Sequence, residues 1–313
     1  MIEQVSSPRA LSTSARGVGR KRSRMRSQRI AGWLCLTPFI LLNVLVILGP
    51  SIATFYYSLT DWNGLGTATY IGLGNYRELM HDQNFRQALV HVAIWTGLFL
   101  TVPIAMGLLG AFLLSQITRF QLLFRLIYFI PYTIASAVNA SIWKNIFDKN
   151  QGMFAQLGEL GVPGFSNFAI FGSTDRALWG VAWVDNWHWW GFLVVIFLAA
   201  MRTIDAELYD AVKIDGGSRW REFRDVTLPG IRPTLVFVVL LTIIASLLVF
   251  DYVYIITQGG PAGATEMVGT LLYKRAFELF EAGYAAAMGV TMTIMSVIIM
   301  VLYRYMQRRG WDV

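Results

Sequence analysis

Six long apolar stretches constrain this chain more than any other feature of its sequence. Each has roughly the 20 residues that a helix needs to cross the hydrocarbon core of a bilayer. Only 14% of the 313 residues are charged, whereas a soluble domain carries about a quarter. We therefore predict an all-α, polytopic membrane protein whose six transmembrane helices are Trp33–Tyr57, Val90–Leu114, Leu122–Trp143, Leu178–Met201, Thr234–Ile256 and Ala282–Tyr303.

The distribution of Lys and Arg predicts the orientation of these spans, because short loops rich in both residues stay in the cytoplasm. Of the 26 Lys and Arg residues, eight lie before the first span, two at the connection between the second and third spans (Arg119 and Arg125), six in the insert after the fourth and three after the sixth. We therefore place both termini and that insert in the cytoplasm. The net charge of +7 is concentrated in the N-terminal arm. We interpret it as an orientation signal that also attracts anionic membrane lipid, not as a nucleic-acid site.

The chain is predicted to have two parts, a basic cytoplasmic arm over residues 1–30 and one membrane domain over residues 31–313. The first apolar stretch is far longer than the core of a cleavable signal, so we interpret it as an uncleaved anchor. The single cysteine, Cys35, has no partner for an internal disulfide or a Cys-ligated metal site. The three histidines are too scattered to hold a metal, so no metal site is predicted.

The polar insert, at about residues 203–233, is predicted to form a helix, a glycine turn and a second helix. Asp205 is a candidate N-cap for the first helix, and Gly216–Gly217 would end it in a left-handed turn. Ser218 would then cap a second helix that stops before Pro229. Such a helix pair is suited to dock into a groove of a partner. Its periodicity is equally typical of an amphipathic connector that lies on the membrane.

The residues of the insert resemble a loop of a known family. Asp210-Ala211-Val212, Asp215-Gly216-Gly217, Phe223, Leu228-Pro229 and Pro233 resemble the Glu-Ala-Ala…Asp-Gly-Ala…Phe…Leu-Pro…Pro loop of membrane subunits of binding-protein-dependent ABC importers. Further fragments are similar to the carbohydrate-uptake branch, which includes the maltose and glycerol-phosphate importers; they are Tyr56–Trp62, Gly72–Tyr76, Ile130–Tyr132, Phe250–Tyr254 and Gly259–Pro261. The resemblance covers most of the chain and implies the type I ABC importer permease fold.

In that family the loop docks into a cleft of a cytoplasmic ATPase, so the resemblance implies a coupling role for Glu207, Asp210, Ala211, Val212, Asp215, Gly216, Gly217, Phe223 and Pro229. It also implies a second homologous permease as heterodimer partner, two copies of the ATPase subunit and an extracytoplasmic solute-binding protein. The chain contains no Gly-Lys dipeptide and hence no GxxxxGK[ST] phosphate loop. ATP and Mg²⁺ are therefore expected in the partner ATPase, and no cofactor is expected in this chain.

Three positions depart from the family pattern: Asp210 replaces its Glu, Val212 its second Ala, and Gly217 its last Ala. We expect these changes to affect the tightness of docking and not the role of the loop.

Two carboxylates lie within predicted spans, where an unpaired charge is costly. Asp251 would share a helix face with Leu247, Tyr254 and Gln258, which suits hydrogen bonds to sugar hydroxyls; a packing contact explains the face equally well. Asp185, Asn186 and His188 lie among tryptophans and could line a polar cavity, but we favour a tryptophan belt near the outer membrane surface. The predicted substrate pathway comprises Asn139, Leu247, Phe250, Asp251 and Tyr254.

Two other function classes fit parts of the sequence. An autonomous secondary transporter would couple solute flux through Asp185 and Asp251. An intramembrane enzyme is suggested by Asp215-Gly216, as in the Asp-Gly-x-x-Ala-Arg motif of CDP-alcohol phosphotransferases, but Arg219-Trp220 occupies the Ala-Arg positions. We therefore predict a permease subunit, not an enzyme, of an ATP-driven carbohydrate importer in a bacterial inner membrane. An oligosaccharide is the expected solute, with a monosaccharide, a polyol or glycerol-phosphate as alternatives.

Overall fold

The computed structural model describes residues 32–117, 119–165 and 169–308, except for the side chains of Met306 and Arg308. The basic arm lies outside these residues. The chain divides into two compact units, residues 1–56 and 57–313. In the first unit, the described residues belong to the first span, Gly32–Tyr57, which contains a π-helical turn at Val44–Leu48. None of them is buried within the unit, so a surface of this kind must face lipid or another protein.

The second unit contains the other five apolar segments. Three are continuous helices: the second span, Gln83–Ser115, the fourth, Ala177–Met201, and the sixth, Ala282–Arg308. The third consists of two half-helices, Gln121–Thr133 and Ser136–Ile146, and the fifth of Arg232–Leu247 and Asp251–Ile256. Shorter elements connect them: an antiparallel hairpin of Thr60–Asp61 and Thr69–Tyr70, the helices Gly74–His81, Met153–Glu159 and Val268–Tyr273, a 3-10 turn at Ile170–Gly172 and a π turn at Lys274–Glu278.

The prediction of six membrane segments is confirmed, but two of them are not straight helices. The half-helices of the third segment meet at an angle of 92°. Pro131 lacks an amide donor near this break, and Ile134 and Ala135 adopt extended ψ angles of 131° and 136°. In the fifth segment the helix ends at Leu247 and resumes only at Asp251. Non-helical backbone at this depth is tolerated where it lines a cavity or is covered by protein.

Close helix packing fixes the positions of the second, third and fourth spans. A Cβ added at Gly107 would lie 2.7 Å from the Leu193 Cβ, so the second and fourth spans touch through a glycine. The contact at Gly191 is tighter, since a Cβ there would lie 1.8 Å from the carbonyl oxygen of Tyr128 in the third span. Small residues let helix backbones approach each other closely. In lipid this matters because the hydrophobic effect does not drive helices together there.

A half-buried ionic cluster connects the loop ends opposite the polar insert. Asp82 caps the second span by accepting from the Asn84 amide at 2.8 Å. It also accepts from the Tyr284 hydroxyl at 2.8 Å and pairs with Arg275 at 3.1 Å. Burial alone would raise the pKa of Asp82, but the Tyr284 hydroxyl, two backbone amides and Arg275 outweigh it and lower the pKa. The cluster thereby joins the second and sixth spans to the segment after the fifth.

Candidate functional site

The two broken spans meet at their breaks. The Ser136 hydroxyl, at the start of the second half-helix of the third span, donates to the Asp251 carboxylate, which starts the last half-helix of the fifth. One turn further on, the buried Asn139 amide donates to the Tyr252 hydroxyl at 3.0 Å. The ammonium group of Lys144 donates to the Ile255 carbonyl at 2.8 Å. These bonds make the two short half-helices one packed pair.

A cavity of about 310 Å³ lies beside this pair, and we call it the polar cavity. Its lining combines two carboxylates, six aromatic rings, one histidine and two hydroxyl side chains, contributed by the second to fifth spans. The lining residues are Trp95, Phe99, Tyr132, Asp185, His188, Trp189, Thr242, Ala245, Ser246, Leu248, Val249, Phe250, Asp251 and Tyr252. Convergent polar groups within an aromatic wall are typical of a small-molecule site.

Several residues that line the polar cavity carry buried polar atoms without a partner among the described residues. These atoms are His188 Nδ1, Trp189 Nε1 and Thr242 Oγ1. Buried polar groups are nearly always hydrogen-bonded, so each such atom requires an explanation such as a water molecule or a ligand. A solute with several hydroxyl groups could satisfy donors and acceptors of this kind together.

At the other end of the fourth span, residues 206–230 form the projection that we call the elbow. Its first helix, Ala206–Ile214, starts where the Asp205 carboxylate accepts from the Glu207 amide at 3.1 Å, so the predicted cap is confirmed. Lys213 and Asp210 form an exposed ion pair at 3.0 Å. The hydrogen bond from Lys213 to Asp210 and the charge of that carboxylate raise the pKa of Lys213.

The predicted glycine turn is present in the elbow. Gly216 has a φ of +70°, a conformation that few residues other than glycine adopt, and the Gly217 amide donates to the Val212 carbonyl at 2.8 Å. A Cβ at Gly217 would lie 2.4 Å from Val212 Cγ1. The larger side chain at position 212 therefore occupies the space that an alanine at position 217 would need.

The second half of the elbow differs from the prediction in two ways. Ser218 precedes the helix Arg219–Glu222 but makes no capping hydrogen bond with its side chain. The helical conformation also does not end before Pro229, because a π-helical segment at Phe223–Thr227 leads directly into the helical turn Leu228–Gly230. Proline is accommodated there because it occupies the first turn, where its amide hydrogen is not needed.

Aromatic contacts attach the elbow to the spans. The ring of Phe223 packs edge-on against Phe112 of the second span, with centroids 5.0 Å apart. The Tyr209 hydroxyl lies 3.0 Å from the Thr227 hydroxyl and so joins the two halves of the elbow. Leu208, Ile214 and Trp220 nevertheless remain more than half exposed. An apolar, structured and exposed surface of this kind marks a site of contact with another protein or with the membrane.

Comparison with known proteins identifies the family. Residues 104–311 match the family described as "binding-protein-dependent transport system inner membrane component". These residues include most of the polar cavity and the whole elbow. The chain belongs to this family. It is therefore a transport permease and not a member of an enzyme family.

Relatives and solved structures resemble this permease over most of its length. The diacetylchitobiose uptake system permease protein of Streptomyces coelicolor is 30% identical over 298 residues, which cover 91% of this chain and 84% of the relative. The trehalose/maltose transport system permease protein of Thermococcus litoralis is 26% identical over 273 residues, covering 87% and 92%. A bacterial alginate ABC transporter, crystallised with an alginate pentasaccharide-bound periplasmic protein, matches with a TM-score of 0.81 at 19% identity, covering 93% of this chain and 98% of that one. The last comparison establishes the type I permease fold.

The permease structure brings only some of the predicted pathway residues together. Phe250 and Asp251 line the polar cavity. Leu247 is packed in the apolar core and Tyr254 stacks on Phe250 at 5.0 Å, and neither lines the cavity. The predicted shared helix face is therefore wrong for Leu247, because the helix ends there and resumes only at Asp251, whereas Asp251 and Tyr254 lie three residues apart in one helix. Asn139 also lies behind the cavity wall, where it supports Tyr252.

For part of the fourth span, the structure favours the alternative of a polar cavity over a tryptophan belt. Asp185, His188 and Trp189 line the polar cavity, whereas Trp179 and Trp183 are about half exposed. Sequence reasoning missed the hydroxyl pair of Thr242 and Ser246. Their i, i+4 spacing in an otherwise apolar helix was the available signal. It also missed Trp95, Phe99 and Tyr132, which look like ordinary core aromatics in the sequence.

The predicted coupling residues all lie in the elbow but have different environments. Glu207, Asp210, Ala211, Asp215, Gly216 and Pro229 are exposed, Val212 and Gly217 are half-buried against each other, and Phe223 faces the spans. Apart from Pro229, the exposed residues occupy the first helix and the turn. Phe223 instead attaches the elbow to the second span.

Proposed function

We propose that this permease is a sugar-carrying subunit of an ATP-driven importer and that it forms half of the translocation pathway. The observation that carries the proposal is the presence, in one chain, of a polar and aromatic cavity between broken spans and an exposed, glycine-hinged elbow. Carboxylates and hydroxyls can bind sugar hydroxyls while aromatic rings pack against the apolar faces of the sugar. The names of the two relatives, which carry diacetylchitobiose and trehalose or maltose, support an oligosaccharide as solute.

Energy must reach this permease from another chain, and we propose that it arrives through residues Glu207 to Pro229. In this proposal the elbow docks into a separate cytoplasmic ATPase that binds ATP and Mg²⁺. Closure of two ATPase copies on ATP would move this permease and a homologous partner between inward-facing and outward-facing states. Such a change is a rigid-body transition driven by a ligand that binds one state better than the other.

The remaining parts of the proposal concern location and partners. The permease lies in the bacterial inner membrane with both termini in the cytoplasm, as the distribution of Lys and Arg indicates. An extracytoplasmic solute-binding protein delivers the sugar, by analogy with the alginate transporter, whose crystal structure includes a periplasmic protein.

The test is ATP-dependent uptake of radiolabelled maltose and diacetylchitobiose by proteoliposomes that contain this permease with its genomically neighbouring permease, ATPase and binding protein. Gly216→Pro should abolish uptake, because proline fixes φ near −65° and Gly216 needs +70°. Asp215→Arg should do the same by reversing the charge on the exposed turn. Both variants should insert normally, since Asp215 is exposed and nothing lies within 4 Å of a Cβ added at Gly216.

Gly216→Asn is the matched control, because asparagine tolerates the left-handed conformation and should preserve most of the uptake. Normal uptake by correctly inserted Gly216→Pro would contradict the coupling role. Solute accumulation by the purified permease alone, driven by a proton or sodium gradient, would instead support a secondary transporter that uses Asp185 and Asp251.

A further inference from the structure

The polar cavity has an unbalanced charge. Two of its lining residues are carboxylates, Asp185 and Asp251, and none of the described residues that line it is a lysine or an arginine. Lys144, on the adjoining half-helix, donates to the Ile255 carbonyl and is not part of the lining. The other titratable groups on the wall are His188 and two tyrosines, Tyr132 and Tyr252. Within the described part of the chain, the wall therefore contains no fixed positive charge to neutralise the two aspartates.

Negative charge would persist in this cavity even if the two aspartates shared a proton. Neighbouring carboxylates often share one proton, and the pair then keeps about one negative charge. The Ser136 hydroxyl donates a hydrogen bond to the Asp251 carboxylate. Electrostatic interactions are stronger in a cavity with apolar walls than in water, because the walls screen charge poorly. An anionic solute in this space would meet repulsion without a counter-charge.

We propose that Asp185 and Asp251 make this permease selective against anionic solutes, so that its substrate class is uncharged saccharides. The proposal rests on the sugar-carrying function and narrows it, since phosphorylated polyols and uronic acids are excluded. Carboxylates accept hydrogen bonds from neutral hydroxyls, and the six aromatic rings of the wall offer flat surfaces for sugar rings. Both features favour a neutral sugar, and neither compensates a negative charge.

Charged thiol reagents measure the electrostatics of the cavity without knowledge of the natural solute. Leu248 lines the cavity and its side chain is 66% exposed, so Leu248→Cys in a Cys35→Ser background places one reactive thiol there. In the assembled transporter, the modification rate would be measured with cationic methanethiosulfonate ethyltrimethylammonium and with anionic methanethiosulfonate ethylsulfonate. Leu65→Cys in the same background is the matched control, because Leu65 is 69% exposed in the hairpin loop.

We expect the ratio of cationic to anionic rates at position 248 to exceed the ratio at position 65 by about tenfold or more, because the cavity focuses the field of its carboxylates. Asp185→Asn combined with Asp251→Asn should reduce this excess severalfold. Asparagine keeps an acceptor for the Ser136 hydroxyl, so the local structure should remain. Asp175→Asn, an exposed carboxylate outside the cavity, should change nothing. Equal ratios at the two positions, or an excess that survives the double substitution, would overturn the proposal.

The same preparations separate this inference from the broader function. If the ratios are equal but ATP-dependent uptake of maltose or diacetylchitobiose is normal, the sugar-carrying function stands and the charge selectivity is wrong. If the thiol introduced at position 248 reacts with neither reagent, water does not reach the cavity, and the proposed pathway itself is wrong.

If the charge ratio is as expected, uptake of a neutral disaccharide should exceed uptake of the corresponding aldobiouronic acid by at least about tenfold at equal concentration. Equal uptake of the two sugars would contradict the selectivity.

Discussion

The polar cavity and the elbow both depend on interrupted helices, but the interruptions are held in different ways. At the elbow the turn is closed by bonds between near neighbours, such as that from the Gly217 amide to the Val212 carbonyl. At the cavity the breaks are held by bonds between Ser136 and Asp251, 115 residues apart, and between Asn139 and Tyr252, 113 residues apart. A local motif therefore fixes the elbow, whereas the cavity exists only once the spans have packed.

This difference predicts different kinds of failure. Damage at the elbow should uncouple transport from ATP while the protein stays folded, as expected for Gly216→Pro. Damage near the cavity should reduce stability as well, because the same contacts support the fold. The comparison fails if elbow variants lower the thermal stability of the permease as much as cavity variants do.

Gly191→Ala should give the largest effect on stability. The added Cβ would lie 1.8 Å from the Tyr128 carbonyl oxygen, so the third and fourth spans must separate beside His188 and Trp189. Overpacking of a core typically costs about 1–3 kcal/mol, and a clash with backbone should reach or exceed the upper end. We expect a clear fall in the midpoint of heat-induced aggregation, measured by size-exclusion chromatography in detergent, together with loss of uptake.

Gly97→Ala is the control for that substitution. Gly97 lies in the second span, and nothing approaches within 4 Å of an added Cβ. Alanine forms helices better than glycine, so the aggregation midpoint should be unchanged or slightly higher. If both variants behave alike, the Gly191 contact does not determine how the third and fourth spans pack.

Much of the fold could be predicted from local sequence patterns, whereas the arrangement of the cavity could not. Apolar runs of sufficient length predicted the spans, and Asp205 and Gly216 predicted a cap and a turn because both act on their own backbone. The wrong prediction that Leu247 shares a helix face with Asp251 has a different origin. Nothing in the apolar run before Asp251 reveals that the helix stops, and the contact that accompanies the stop is with Ser136 in another span.

Asn139→Leu should give an intermediate effect. The substitution removes the 3.0 Å hydrogen bond to the Tyr252 hydroxyl and leaves that buried group without its partner. Loss of one partner of a buried hydrogen bond costs about 1–3 kcal/mol. Because Asn139 Oδ1 is itself buried without a partner among the described residues, we expect a value near the lower end. The aggregation midpoint is the measurement.

A double-mutant cycle identifies the source of that loss. Removing both partners at once, with Asn139→Leu and Tyr252→Phe, leaves no unpaired polar group and should recover most of the stability. Additive losses in the cycle would show that the bond does not hold the two half-helices together.

Gly217→Ala should have the smallest effect on stability and tests whether the elbow is as local as its hydrogen bonds indicate. The new Cβ would lie 2.4 Å from Val212 Cγ1 and 2.8 Å from the Val212 carbonyl oxygen, so the turn must distort. Because the turn is exposed, we expect the aggregation midpoint to change little while ATP-dependent uptake falls severalfold.

Val212→Ala in the same chain removes the first clash and not the second, so it should restore uptake in part. Such a rescue would mean that the valine and glycine at these positions compensate for each other's size, and that the departures from the family pattern leave the elbow's docking surface intact. If Val212→Ala gives no rescue, or if Gly217→Ala lowers stability as much as Gly191→Ala does, the elbow is not an independent local motif.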